Sequence, residues 1–413
     1  MDNIILDQIQ IERHLVIYDF HITDGLRPYY NQTSLFIDYP EDMSEVPTSI
    51  LTIPFVSCMI GLSWLTKATV WVDELDETFY VAYQRIKTAF QDIHPDFQLY
   101  GQLKPSRIIN NHIQESKQAL LLFGGGIDCQ STFLRHSKTI SSILNINGWL
   151  GSVNAEDAVD VSDKEKTEAF AKRFGKTAYH VRSNFASIFN ISHIDKTYRK
   201  KWHDSFWHGL LHPMAFISIS IPICYLNNIS TIYIASSFTK GQNNYCASDV
   251  TTDSEYKFAV NGKTIHDGFE LNRQEKVKII VDYQRSIQEP YPLQVCSFND
   301  HNCCECEKCF RTIIALVAEG ANPHDYGFEY PGNLTEYMSD VMERKLALWG
   351  ISHEQKYHWV YTIERMKENY NHVYDQTFVD WFLSYDFSNA KKEGLYKYYK
   401  RNFYQILLRK LGW

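Results

Sequence analysis

Nine cysteines are spread unevenly along the 413-residue chain: four stand apart at positions 58, 129, 224 and 246, and five crowd between Cys296 and Cys309. In "CSFNDHNCCECEKC", Cys296, Cys303, Cys306 and Cys309 form a C-x6-C-x2-C-x2-C array. Cys-x2-Cys turns let two thiolates reach one ion, so the spacing predicts a structural Zn²⁺ with no open position for catalysis. An iron–sulfur cluster is the lesser alternative, and a ligand set using Cys304 stays open. An odd total with one dense cluster points to metal in a reducing compartment rather than to a disulfide framework.

A second segment, "LLFGGGIDCQSTF", sets Gly124, Gly125 and Gly126 between an apolar run and Asp128. The run reads as a buried parallel strand and the residues from Ile127 as the start of a helix. A glycine turn at that junction aims backbone N–H groups and the positive end of a helix at one point, a natural seat for phosphate. Two Gly-Lys-Thr triplets, at Gly175 and Gly262, lack the glycine five residues ahead that a Walker loop needs; Phe170 and Lys257 stand there. The dinucleotide pattern G-x-G-x-x-G also fits poorly, because Ile127, Asp128 and Cys129 follow the triplet.

"FGGGIDC" resembles the S-G-G-x-D-S loop of the PP-loop ATP pyrophosphatase superfamily, with Gly124 and Cys129 in place of the two serines. The loop together with the later cysteine array is similar to 7-cyano-7-deazaguanine synthase, and "NCCECEKCFRT" resembles the N-C-G-x-C-x-K-C-x-R-T signature of longer bacterial relatives. The likeness covers roughly residues 116–325. It implies an α/β fold with a doubly wound parallel sheet and a zinc knuckle, and an enzyme that adenylates a carboxylate with ATP before ammonia or an amine displaces AMP. Phe123, Gly124, Gly125, Gly126, Ile127, Asp128 and Cys129 would then hold ATP, with Asp128 also a ligand of Mg²⁺. Cys129 exchanges a strong hydroxyl donor for a weak thiol.

Other residues enter as supports. Asn184 in "VRSNF" is assigned to ATP, with a helix cap as its bland alternative. Arg273 and Lys276 in "HDGFELNRQEKV" suit a carboxylate or phosphates and are placed with Asp128 as catalytic; a solvated helix start capped near Asp267 is the alternative. His208 and Asp267 are assigned to the substrate, although His208 and His212, four apart on an apolar helix, also read as core histidines. No nucleophilic triad is evident.

The elements that must position these residues alternate strand and helix from about 116 to 240: strands at "QALLLF", "INGWLG", "TAYHVR" and "STIYIA", helices near "KEKTEAFAKRF" and "WHGLLHPMAFISISI". Residues 1–115 read as an N-terminal α+β domain, with "ATVWVDELDETFYVAYQRIKTAF" helix-like; 116–325 as the ATP domain with the zinc site; 326–413 as a helical, aromatic extension. Val46–Thr66 and Ser205–Thr239 lack Asp, Glu, Lys and Arg, yet their prolines, hydroxyls and histidines suit buried elements better than membrane spans. With no secretory pattern at the start, the expectation is a cytoplasmic protein. A net charge of -8 gives an RNA-binding surface no support, so a tRNA-modifying ATP pyrophosphatase is an alternative, as is a weakened ATP-binding scaffold. The expected partners are a deazaguanine-like carboxylate and a protein partner or acceptor in anti-phage defence; a homo-oligomer is compatible.

Overall fold

The computed structural model describes residues 2–148, 158–202, 204–242, 246–296, 301–345 and 359–387, with 299, 349, 392 and 396. It forms two compact units. The first comprises Met1–Gly124, Arg135–Ser237 and Asn243–Phe269; the second comprises Gly125–Leu134, Phe238–Gln242 and Glu270–Trp413. This partition differs from the division at 115 and 325, because the strands of the N-terminal part join the same sheet as those that follow.

The first unit is built on that sheet. β1 (Asn3–Glu12) and β2 (Leu15–Ile22) form a hairpin, and β3 (Ser34–Asp38) extends it antiparallel. α1 (Thr48–Thr66) then leads to β4 (Thr69–Asp76), α2 (Glu77–Ile93) and β5 (Gln102–Ile109). Next come β6 (Ala119–Leu122), α3 (Ile127–His136), β7 (Ile140–Asn147), α4 (Ala158–Arg173) and β8 (Thr177–Ser183). α5 (Ile191–Trp202) and α6 (His212–Leu226) precede β9 (Thr231–Ala235). α7 (Val250–Asp253), β10 (Lys257–Phe258) and β11 (Gly262–Asp267) complete the unit. The strand order is β10-β11-β9-β6-β7-β8-β3-β2-β1-β4-β5, eleven strands among the described residues in one mostly parallel sheet.

The chain moves outward from β6 through β7 to β8, then returns to lay β9 on the other side of β6. That reversal is the switch point at which open parallel sheets bind ligands, beyond the carboxyl ends of their strands. The segment leaving β6 there is the glycine loop. β8 pairs antiparallel with β3, Ile37 opposite Ser183, which is what fuses the N-terminal strands to the parallel half.

Both charge-free stretches are core. α1 is buried from Ser49 to Leu65, and α6 is buried over most of its length. The helices Thr48–Thr66 and Trp207–Leu226 are long and apolar enough to cross a membrane, but 94% and 78% of them lies inside the protein. A helix apolar all round needs cover on every side, and here α1 and α6 pack on one another.

Two expectations change. "ATVWVDELDETFYVAYQRIKTAF" is half strand: Val70 and Val72 are buried while Trp71 faces out, the period of a strand. The switch occurs at Asp76, whose carboxylate caps α2 by accepting from the Phe79 N–H at 2.9 Å. The strand expected at "INGWLG" begins earlier, at Ile140, and residues 149–151 of that expectation lie outside the described residues.

In the second unit the first eight residues of α3 group with α8 (Arg273–Ile287), α9 (Glu307–Ala318), α10 (Leu334–Lys345) and the helices Val360–Glu368 and Gln376–Ser384. Phe310, Trp359 and Phe382 stack together at its centre. Buried Glu319 holds the Arg365 guanidinium and the Gln274 amide, tying α9 to its neighbours.

Candidate functional site

The glycine loop is anchored before it turns. Phe123 is buried, its N–H donates to the Leu144 carbonyl at 2.8 Å, and its ring lies on Phe170. Gly125 has φ +74°, the left-handed region where a side chain is strained. A Cβ at Gly124 or Gly126 would meet nothing within 4 Å among the described residues, so both glycines face open space. The buried Gln130 amide donates to the Gly125 carbonyl at 2.8 Å and the Cys129 thiol to the Gly126 carbonyl at 3.2 Å, both fixing the loop from behind. Ile127, the first residue of α3, is buried.

Asp128, on the first turn of α3, meets two cations from α8. Arg273 Nη1 donates to its Oδ2 at 3.1 Å and Lys276 Nζ to its Oδ1 at 3.3 Å. The side chain of Arg273 is 11% exposed and that of Lys276 3%, so these charges are shielded from water. Asn272 and Glu275 form a reciprocal cap that fixes where α8 begins, and therefore where Arg273 projects. Burial pushes the Asp128 carboxyl up, but the charges of Lys276, Arg273 and Arg311 outweigh it and hold the group at about 2. Burial and then the neighbouring Arg311 charge push Arg273 down. Lys308 is lowered by burial first, then by Arg311 and Arg273. Arg273, Lys308 and Arg311 thus feel one another around Asp128, and Arg311 pairs with Glu307 at 3.3 Å. Arg273 Nε is buried without a hydrogen-bond partner among the described residues. A shielded neighbourhood rich in cations, with a buried guanidinium N–H, suits an oxyanion.

It suits Mg²⁺ on Asp128 less well. Both carboxylate oxygens are taken by cations, and a divalent ion there would meet like charge from Arg273 and Lys276. Asp128 instead acts on those two side chains, holding them in place.

The cysteine cluster sits at the start of α9. The Sγ atoms of Cys296, Cys303, Cys306 and Cys309 all lie within 4.8 Å of one another and can hold a metal ion. The pairs Cys303–Cys309 and Cys296–Cys306 are each 4.0 Å apart. A tetrahedral Zn²⁺ with bonds of about 2.3 Å has edges of roughly 3.8 Å, so the cluster closes on one ion with little movement. An iron–sulfur cluster spreads its thiolates over several irons and needs a wider cage. The Cys306 N–H donates to Cys303 Sγ at 3.3 Å, and Cys306 Sγ caps α9 through the Cys309 N–H. Hydrogen bonding from the Cys309 thiol leads in holding Cys306 down at about 5, despite burial, so thiolate is its ready form.

Cys304 is not one of the four. It has φ +56°, the conformation glycine takes most cheaply, and its thiol reaches the Asn302 carbonyl at 3.6 Å. Buried Asn302 joins this turn to Leu293, Val295 and Gly327. The cysteine knuckle therefore fixes the start of α9, whose first two turns carry Lys308 and Arg311.

Of the residues singled out by sequence, Asp128, Arg273 and Lys276 come together. Asn184 is spent elsewhere: its Oδ1 accepts from Phe36 N–H at 2.7 Å and its Nδ2 donates to the Ser34 carbonyl at 2.9 Å, stapling β3 to the end of β8. Asp267 ends β11 and accepts from His136 Nε2 at 2.7 Å and Arg135 at 3.4 Å, while Asn272, not Asp267, caps α8. His208 and Asp267 belong to the first unit, Asp128, Arg273 and Lys276 to the second. Arg311 and Lys308 carried no assignment from sequence, although their fixed spacing to the ligand cysteines in "CEKCFR" was the signal. Comparison of the chain with models of protein families gives no match, and comparison with curated proteins gives none.

Proposed function

We propose that the protein is an ATP-dependent, AMP-forming ligase that adenylates a carboxylate, with a 7-deazaguanine-like base as substrate and ammonia or an amine, including one on a protein, as acceptor. The observation that supports this best is the convergence of Arg273 and Lys276 on Asp128, directly after Gly125 and Gly126. A carboxylate resists nucleophiles until one oxygen leaves as part of a phosphate. Amides of Gly125 and Gly126 would bind phosphate oxygens, since nothing overhangs Gly126. Arg273 and Lys276 would carry the charge that builds on departing pyrophosphate, pre-oriented by Asp128. Any Mg²⁺ would come on the phosphates of ATP rather than on Asp128. The ion at the four cysteines is read as Zn²⁺ with a structural role, and the setting as cytoplasmic.

A non-catalytic ATP-binding role is the second reading, favoured by one observation: the Cys129 thiol is used on the Gly126 carbonyl instead of facing the open loop. The test is release of AMP and pyrophosphate from MgATP, with and without 7-carboxy-7-deazaguanine, beside Asp128→Asn. Substrate-dependent release that is lost in the variant supports the ligase. ATP binding with no AMP under any carboxylate tried supports the second reading.

A further inference from the structure

A cavity of about 360 Å³ opens in the first unit, where the antiparallel strands meet the parallel half of the sheet. A short ladder makes room for it. β3 and β8 pair only through Ile37 with Ser183 and Asp38 with Arg182, and β3 ends at Asp38. Among the described residues, β8 from Thr177 to Val181 is paired on its β7 side alone. α4 supplies one wall of the space left beside it, and His14, just before β2, supplies another. The volume lies at the lower end of small-ligand pockets, about 300–1,000 Å³.

Charges of both signs line it. Asp38 stands opposite Arg182 on β8 and opposite Leu15, the neighbour of His14, on β2. Its Oδ2 accepts from Arg182 Nη2, and its Oδ1 bonds His14 Nδ1 at 2.7 Å. The Asp38 side chain is 18% exposed and that of Arg182 28%, so water screens the pair only in part. Asp38 takes one N–H of the guanidinium, and the rest of that planar fork matches a carboxylate. On α4, Lys164 and Glu168 meet only at 4.0 Å, and both are more than half exposed. An exposed pair of this kind adds little stability, so either side chain turns to a ligand at small cost. The Thr167 hydroxyl is spent on the Asp163 carbonyl at 2.7 Å, which leaves recognition to the charges.

We infer that this cavity binds a free α-amino acid, with its carboxylate on Arg182 and its ammonium on Glu168. A lone anion there meets like charge from Asp38 and Glu168, and a lone cation meets it from Lys164 and Arg182. A small molecule that carries both charges pairs with both sets. A nucleoside phosphate brings negative charge alone and leaves the two carboxylates opposed to it. The inference stands apart from the adenylation reading, since none of these residues belongs to the glycine loop or to the cations around Asp128.

Titration calorimetry of the intact protein with each standard amino acid tests it. One amino acid, or a group alike in side chain, is expected to bind at one site per chain and to raise the melting temperature as its concentration rises. Removing either ligand charge, with the matching amine and the matching deaminated acid as probes, should weaken binding at least about tenfold. Arg182→Met should abolish binding, with Arg182→Lys restoring part of it. Glu168→Gln changes an exposed helix position, so it decides the matter if Arg182→Met does not fold. It should weaken the amino acid at least about tenfold and leave the affinity of the deaminated acid unchanged, a split that a packing defect would not produce. Three results overturn the inference: no amino acid binds the folded protein, the deaminated acid binds as tightly as the amino acid, or binding survives both Arg182→Met and Glu168→Gln.

Discussion

Asp128 and Asp204 each hold a cation at close to 3 Å, yet the surroundings turn them to different ends. Asp128 sits among several cations: Arg273 and Lys276 touch it and Arg311 acts on it, a setting that favours a further anion. Asp204 is matched one to one with His208, whose imidazolium it stabilises. The first site lies among nearly buried side chains and the second opens through a half-exposed ring. A carboxylate that merely pairs is structural; what decides its use is the balance of charge around the pair and where the next polar atom points.

The largest effect that would separate the two comes from the metal. Binding at four thiolates is worth on the order of 10 kcal/mol, and the knuckle sets the first turn of α9. Chelation, or Cys309→Ser, is expected to abolish ATP binding measured by calorimetry while the contribution of His208 to stability persists. Equal loss at both would break the contrast.

Next comes Asp128→Ala, which leaves two shielded cations facing each other and should cost about 3–5 kcal/mol in urea unfolding. Asp128→Asn keeps the shape and a hydrogen-bond acceptor, and should cost less than half of that. It is the variant in which loss of activity reports on charge.

The pH dependence has opposite sign at the two sites. Asp128 is depressed to about 2 from a usual value near 4, so its contribution of about 2 kcal/mol is complete above pH 4 and is lost as pH falls through 2. His208 is raised to about 10, so its contribution is complete below about pH 6.5 and is lost as pH rises through 10. The stability gap between wild type and Asp128→Asn should therefore close on the acid side, and that between wild type and His208→Gln on the alkaline side.

The smallest effect is expected from Cys304→Gly. It relieves a left-handed φ at the cost of a small buried side chain, so stability should change by less than about 1 kcal/mol. Metal content by mass spectrometry should stay at one ion per chain.

Much of the first site was legible because its parts are local patterns. An apolar run, three glycines and a helix start predict the β6–α3 loop, and four cysteines at fixed intervals predict the knuckle. The pairing of Asp128 with Arg273 and Lys276 was open to chemical reasoning, since a phosphate loop needs cations. Asn184 misled for a physical reason: its amide is used by β3, some 150 residues earlier, and nothing near "VRSNF" announces that partner. Asp204 and His208 are only four residues apart, but their approach depends on the missing side chain of Gly209, which spacing alone does not announce. The strand in "ATVWVDELD" was masked by the helix that follows it without a turn, because Asp76 ends one element and caps the next.

ATP–pyrophosphate exchange tests the central claim most directly, since label enters ATP only if adenylation is reversible on the protein. Exchange that requires 7-carboxy-7-deazaguanine or a related carboxylate, and that falls at least about a hundredfold in Lys276→Met, is the predicted result. ATP cleaved instead to ADP and phosphate, with no exchange under any carboxylate, would contradict it.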